Sequence, residues 1–432
     1  MPQLPPVIRA LRHRNYQLYF GGQLISLIGT WMQSIAQAWL VYRMTGSAAL
    51  LGLVGFCGQI PVFLFAWLGG AVADRYNRHT IIVITQTAAM LLAAIIATLT
   101  LTNVIQVWHI FVLATMLGLV NAFDIPARQS FIVEMVGRED LVNAIALNSS
   151  MFNGARIIGP SIAGILVAAI GEGWCFVANA VSFLAVIGGL LLMNLKYEPK
   201  TVSQESAFDH IVEGFRYVER TSPVRALLLL LGMASLIAMP YTVLMPIFAD
   251  KILHGGPQGL GLLMCATGVG AVIGALTLAA RKAIKGLSRW VAFACAGFGL
   301  SLILFSLSRT FWLSEALLVP VGFCMMVQMA SSNTLIQSMV TNDLRGRVMA
   351  VYSMMFMGMG PFGALLSGAL AARIGAPLTV ALGGGVCIIG AGVFAFHLPA
   401  LREEMHEIIL SMQVTGGEPP DEAAGEESAL AS

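Results

Sequence analysis

Charge is what this chain has least of. Asp, Glu, Lys and Arg together make up 11% of its 432 residues, about half the share of an ordinary soluble domain. Against 57% apolar residues, that leaves too little polar material to clothe a water-exposed surface. The six cysteines, Cys57, Cys175, Cys265, Cys295, Cys324 and Cys387, stand singly. That spacing shows no metal-binding pattern and no disulfide frame, and it fits small buried filler. No GxxxxGK[ST] loop or HExxH pair occurs, so neither a built-in nucleotide site nor zinc hydrolysis is indicated. The string GMGPFG at Gly358–Gly363 matches GxGxxG in letters alone. It sits inside an apolar run rather than after a strand, where no dinucleotide turn forms. No basic stripe suggests nucleic acid, and no residue cluster calls for a cofactor or a metal.

What the chain has is long apolar sequence, with a mean hydropathy of +0.82. Runs of 20 or more apolar residues recur, and each crosses about 30 Å of hydrocarbon as a helix. A helix is also the form that satisfies every backbone group within lipid. Twelve spans are expected. Spans 1–6 are Tyr16 to Tyr42, Leu50 to Ala73, Thr80 to Leu101, Val107 to Phe131, Ala144 to Ile170 and Trp174 to Leu195. Spans 7–12 are Val224 to Phe248, Gly259 to Ala280, Leu287 to Leu307, Phe311 to Met339, Val348 to Ile374 and Leu378 to Phe396. The fold class is therefore all-α integral membrane. The apolar run behind Arg9, Arg12 and Arg14 is too long for a cleaved signal. Orientation follows the basic residues. Only Arg43, Lys251, Arg309 and Arg373 fall on one side and Arg156 within a span; all other Lys and Arg lie at the opposite ends. Both termini are thus expected in the cytoplasm, with the chain in the cytoplasmic (inner) membrane.

The sequence also repeats. Residues 131–171 slide onto 335–375 without a gap, FIVEMV falling on LIQSMV, SSMFNG on SMMFMG and GILVAAIG on GALAARIG. Span 5 thereby corresponds to span 11, an even offset, so corresponding spans cross in the same direction. The expectation is two pseudo-symmetric six-helix bundles related by an axis along the membrane normal. The expected divisions are an amino-terminal segment 1–15, a first bundle 16–195, a connector 196–223, a second bundle 224–398 and an acidic disordered tail 399–432. In the connector, Phe208, Ile211, Val212, Phe215 and Val218 share one helical face, as in an amphipathic helix lying on a membrane surface.

Two stretches carry charge where it is costly. NAFDIPARQSF, residues 121–131, holds Asp124 and Arg128 one turn apart, with Pro126 available to bend the helix. GGAVADRYNRH, residues 69–79, joins spans 2 and 3. Its Gly70, Asp74, Arg75 and Arg78 resemble the GxxxDRxxR loop of the major facilitator superfamily. The resemblance extends over nearly the whole chain, including the Asp343-Leu344-Arg345-Gly346-Arg347 loop. It implies that Gly70 lets a helix approach and that Asp74 meets the start of span 11. It further implies that Arg78 reaches an acid in span 4. Asp74, Arg78 and Asp124 are then expected to form a gating relay, with Arg128 pairing to Asp124 or Glu134. An acid held by arginine is a poor proton carrier.

The expected substrate wall is built from three places. Span 1 carries Thr30, Gln33, Ser34 and Gln37 at three- and four-residue steps, a polar stripe suited to a cavity rather than to lipid. Span 5 carries Asn148, Asn153 and, near its midpoint, Arg156, a charge that demands a partner or a wet surface. Tyr241 of span 7 and Gln328 of span 10 supply the facing side. In span 5, Ala155, Gly159, Pro160, Ala163 and Gly164 resemble the antiporter signature GxxxGPxxGG, with alanines at two of its small positions. ALRHRNYQLYFGGQLISLIGTWMQ, WLVYRMTGSA and the span 4 and 5 segments resemble the branch holding macrolide-type, multidrug and enterobactin exporters. Many members place an acid after the span 1 glycine, where this chain has Gly29-Thr30, and the arginine-centred span 4 motif is absent. The resemblance implies a monomeric secondary transporter that exports a small siderophore-like or amphiphilic molecule, with a proton as coupling ion. A lysophospholipid-type transporter and a non-transporting scaffold or sensor remain the alternatives.

Overall fold

The computed structural model describes residues 6–194, 207–281 and 286–414. Twelve helices among the described residues are long and apolar enough to cross a membrane. In the first half these are Arg14–Thr45, Ala48–Arg75, Arg78–Leu101, Val107–Val136, Leu141–Ile170 and Glu172–Leu191. In the second they are Ser222–Ile252, Gly256–Ala279, Leu287–Leu307, Phe311–Ser338, Asp343–Ile374 and Ala376–Met405. Each expected span falls on one of these helices in order. No strand occurs among the described residues.

Local chemistry sets the boundaries. Gly46, left-handed at φ 61°, ends span 1, a conformation that costs glycine nothing. Ser47 then accepts from the Leu50 amide to start span 2, and Asn77 accepts from the His79 and Thr80 amides to start span 3. The last helix runs through Pro399 as far as Val414, beyond the expected start of the tail at 399. Leu401 and Met405 are buried there, which carries the helix past the apolar span. The acidic residues 415–432 lie outside the described residues, as do 195–206 of the connector. The remainder of the connector forms the helix Ala207–Arg220.

Inside the first half, span 2 packs along span 4, and span 6 is covered by spans 1 and 3. Inside the second, span 9 lies between spans 10 and 12. Close backbone approach at glycine recurs at matching positions. A Cβ at Gly118 would lie 2.4 Å from the Gly58 carbonyl oxygen, and one at Gly322 would lie 1.9 Å from that of Thr267. The shift that carries residues 131–171 onto 335–375 also carries Gly118 onto Gly322 and Gly159 onto Gly363. Gly159 abuts the Ile28 carbonyl of span 1, and Gly363 abuts the Leu236 carbonyl of span 7.

The compact units do not divide where the sequence repeat does. Val243–Cys265, the end of span 7 and the start of span 8, groups with the first unit. Two contacts account for this. The Tyr42 hydroxyl donates to Asp250 Oδ2 at 2.7 Å. A Cβ at Gly164 would stand 3.0 Å from the Pro257 carbonyl and 3.1 Å from the Gly261 Cα, so only small residues allow these helices to meet. Nearby, Glu172 at the start of span 6 binds Arg43 through both oxygens, at 2.7 and 3.2 Å.

Candidate functional site

Arg78 opens span 3 and is nearly buried. Its guanidinium donates to the carbonyls of Ala73 at 3.0 Å and Ser130 at 3.2 Å. It also donates to Glu134 Oε1 at 2.9 Å and Asp74 Oδ1 at 3.1 Å. Spans 2, 3 and 4 are thereby tied at one end by a single side chain, the strongest kind of donor for such a knot. The acid in span 4 that Arg78 reaches is Glu134, not Asp124, which corrects the expected relay. The reason is depth: Arg78 begins a helix level with the end of span 4, and Asp124 lies about 15 Å further in by helical rise. Asp74 remains 65% exposed, and Arg75 is exposed too. A Cβ at Gly70 would meet nothing within 4 Å; the neighbouring Gly69 is the residue pressed on span 4, against the Ala122 carbonyl.

Asp124 forms a separate, interior cluster. It is 1% exposed and pairs with Arg128 one turn along its own helix. Its Oδ1 accepts from the Thr85 hydroxyl at 2.7 Å and the Gln86 amide at 2.9 Å. The Tyr19 hydroxyl meets the Arg128 guanidinium. Spans 1, 3 and 4 are therefore joined by a buried ion pair whose carboxylate is largely satisfied, the condition under which such a pair is tolerated.

A third group lies where spans 1 and 5 adjoin. Gly159 lets span 5 close on span 1: a Cβ there would stand 2.5 Å from the Trp31 Cβ and 2.9 Å from the Ile28 carbonyl. Around this contact, Arg156 holds its guanidinium carbon 5.9 Å from the centre of the Trp31 ring. Phe152, one turn before Arg156, meets Trp31 edge-on with ring centres 5.6 Å apart. Arg156 and Trp31 are half-buried, while Phe152, Thr30 and Ser34 are exposed. Asn148, Asn153 and Gln37 are half-buried, with the Asn153 amide donating to the Ser149 carbonyl at 2.8 Å.

Three residues expected in the substrate wall are buried among neighbouring helices. Gln33 is buried and accepts from Asn179 of span 6 at 2.7 Å, because Gly29 brings Asn179 and Ser182 within touching distance. Tyr241 is 1% exposed and packs edge-on against Phe298 of span 9. Gln328 is 2% exposed beside the Cys295 thiol. The Gln33 contact with Asn179 joins spans 1 and 6. Pro160 is buried with Gly159 and Gly164 on the packing side of span 5.

Comparison with known proteins places this arrangement. A family profile described as transmembrane secretion effector matches residues 7–419. The chain belongs to that family, within the major facilitator superfamily. It is similar to the staphyloferrin A transporter of Staphylococcus aureus, 26% identical over 90% of this chain and 98% of the relative. The multidrug efflux pump Tap of Mycolicibacterium fortuitum is 28% identical over 87% of this chain and 93% of its own. The enterobactin exporter EntS of Shigella boydii serotype 4 is 26% identical over 88% and 90%. Among solved structures, the nucleoside transporter NupG matches with a TM-score of 0.70 at 15% identity, covering 89% of this chain and 98% of that one. A bacterial homologue of the human lysosomal transporter Spinster matches with a TM-score of 0.63 at 14% identity, over 94% and 98%. These two share the fold.

The chain is a membrane transporter rather than an enzyme. Sequence reasoning passed over Trp31 and Phe152, although Phe152 and Arg156 stand four residues apart in span 5, the spacing that puts a ring and a cation on one face. It also passed over Tyr42 and Asp250, whose contact joins residues far apart in the chain with no local signal.

Proposed function

We propose that this transporter exports a small organic anion across the cytoplasmic membrane by alternating access. In this reading the site opens first to one side of the membrane and then to the other, driven by inward flow of protons. The observation that carries it is Arg156: a half-buried cation near the middle of a membrane helix, held over Trp31 and flanked by exposed Thr30 and Ser34. A charge at that depth marks a solute path, and its sign selects acids. The names of the relatives, siderophore and drug exporters, support a chelator-like or amphiphilic substrate. Both termini are cytoplasmic on the basic-residue distribution, and a monomer suffices.

Within this proposal Asp74 and Arg78 guard the cytoplasmic end. Asp74 keeps most of its surface open while one oxygen rests on Arg78, so it is available to a further partner when that end shuts. The Tyr42–Asp250 bond and the Gly164–Gly261 contact guard the other end and part when the site opens there. Asp124 is fully engaged with Arg128, Thr85 and Gln86 and is a scaffold element rather than the proton carrier.

Everted vesicles test this. A carboxylate- or catecholate-bearing chelator should accumulate when the lumen is made acidic, without nucleotide, and a protonophore should stop it. Arg156→Gln should lower the rate about tenfold or more. Equal handling by Arg156→Gln and wild type, or strict dependence on ATP, would overturn the reading.

A further inference from the structure

We infer that the Trp31–Phe152–Arg156 cluster is a subsite for an aromatic anion, an acidic group carried on a planar ring. This rests on the proposal that Arg156 faces the transported molecule, and it adds which acids are preferred. The three side chains come from two helices that meet closely at Gly159, so the spacing of the two rings is set by backbone approach. Phe152 and Arg156 project from the same face of span 5 one turn apart. An acid group on the guanidinium therefore places whatever it is attached to over Phe152.

The aromatic geometry is incomplete in a specific way. Trp31 and Phe152 meet edge-on with an interplanar angle of 71°, and 46% of Phe152 is exposed. A third ring laid there meets one neighbour by face and the other by edge, the two arrangements that aromatic quadrupoles favour. The guanidinium over Trp31 is itself planar and weakly hydrated, so it presents a flat, partly desolvated cation to the incoming acid. Phe152, an apolar ring placed between polar Ser149, Asn153 and Arg156, has no evident use to a site for aliphatic acids alone. The corresponding second-half residues are Phe356, Met357 and Gly360: the ring is retained, and a glycine stands in place of the cation. The cluster thus belongs to the first half alone.

The test uses a matched pair of acids with the full chain in lipid nanodiscs. Binding of 2-naphthoate and of its saturated counterpart decahydro-2-naphthoate is measured by equilibrium dialysis. Both carry one carboxylate on a fused two-ring frame, and only one is aromatic. Wild type should bind 2-naphthoate roughly three- to tenfold tighter, the range of one or two aromatic contacts. Trp31→Leu and Phe152→Leu should each lower that ratio by about half or more, and an unchanged monodisperse gel-filtration profile shows that the variants fold. Trp31→Phe should retain most of the preference. Equal affinities in wild type, or an unchanged ratio in both leucine variants, overturns the inference. Arg156→Gln separates this from the proposed function. If it weakens both acids while Trp31→Leu changes neither, the aromatic inference alone fails. If Arg156→Gln changes neither acid, the underlying anion site fails with it.

Discussion

The two halves are built on one plan and filled with different chemistry. Along the gapless alignment, Asp124 falls on Gln328 and Arg128 on Ser332. All four positions are in span 4 or 10, and Asp124, Gln328 and Ser332 are almost fully buried. The first half holds an ion pair where the second holds an amide and a hydroxyl. Arg156 likewise falls on Gly360. The halves differ in backbone as well. In the second, spans 7 and 11 are interrupted by π-helical turns at Ala234–Ala238, Phe248–Ile252 and Met354–Gly358. Of these, the turn in span 11 corresponds to unbroken α-helix in span 5. The Ser235 hydroxyl donates to the Phe356 carbonyl, satisfying a backbone group inside the neighbouring turn. One half thus carries buried charge in regular helix, and the other carries neutral polar groups beside irregular helix.

The sharpest way to break the comparison is to remove one partner of the ion pair. Arg128→Leu should cost about 3–5 kcal/mol, because Asp124 stays buried with only neutral donors. Gln328→Leu in the second half should cost about 1–2 kcal/mol or less. Thermal unfolding of both variants in one detergent measures the difference. Equal losses would mean that Asp124 and Arg128 act as ordinary polar packing.

Next comes the backbone contrast. Gly159→Ala drives a Cβ into Trp31 and the Ile28 carbonyl, whereas Gly363→Ala drives one into the Leu236 carbonyl and the Pro240 ring. Overpacking of this kind costs about 1–3 kcal/mol where nothing yields. Spans 7 and 11 have π turns beside the contact, so Gly363→Ala should be the milder variant in unfolding temperature. If it proves the more damaging, those turns are rigid.

A smaller effect separates the segments that precede each half. Before span 1, Arg9, Arg12 and His13 converge on Asp140, at 3.0, 2.8 and 2.8 Å, and Asn143 accepts from the Ala10 amide at 2.7 Å. Before span 7, the signs are reversed: Glu213 of the connecting helix pairs with Arg347, which the alignment places on Asn143. The hydrogen bond from His13, together with Arg12 and Arg9, holds the Asp140 carboxyl below its ordinary range. A lowered acid stabilises the folded form at every pH above its unfolded value near 3.9 and loses that contribution as the pH falls through the folded value. Amide protection over residues 6–13, taken relative to the intrinsic exchange rate at each pH, should therefore hold down to about pH 4 and fall below it. Asp140→Asn should remove that step. Glu213→Gln should show the least change, below about 1 kcal/mol, as expected of a pair this exposed.

The number and order of the spans were legible because lipid imposes one length and one composition on all of them. The partner of Arg78 was not, because periodicity names a face of span 4 but not the depth at which a neighbouring helix begins. Asp124 was the acid expected for Arg78, whereas Arg78 lies level with Glu134 and bonds to it. Gln33, Tyr241 and Gln328 show a related limit. Polar residues in apolar helices seek either water or another helix, and the pattern along one helix is the same for both. The Trp31 contact depends on Gly159, Ile28 and the angle between two helices, and no single segment contains that information.

The π turns have a mechanical consequence. Each carries one residue more than a regular turn, and moving that surplus along the helix turns the residues it passes by about 100°. In span 11, where the turn lies at Met354–Gly358, a shift of a few backbone hydrogen bonds would re-aim the side chains beside it without unwinding the helix. Those side chains would rotate along the shifted stretch, whereas the matching stretch of span 5 is regular α-helix and has no surplus residue to move.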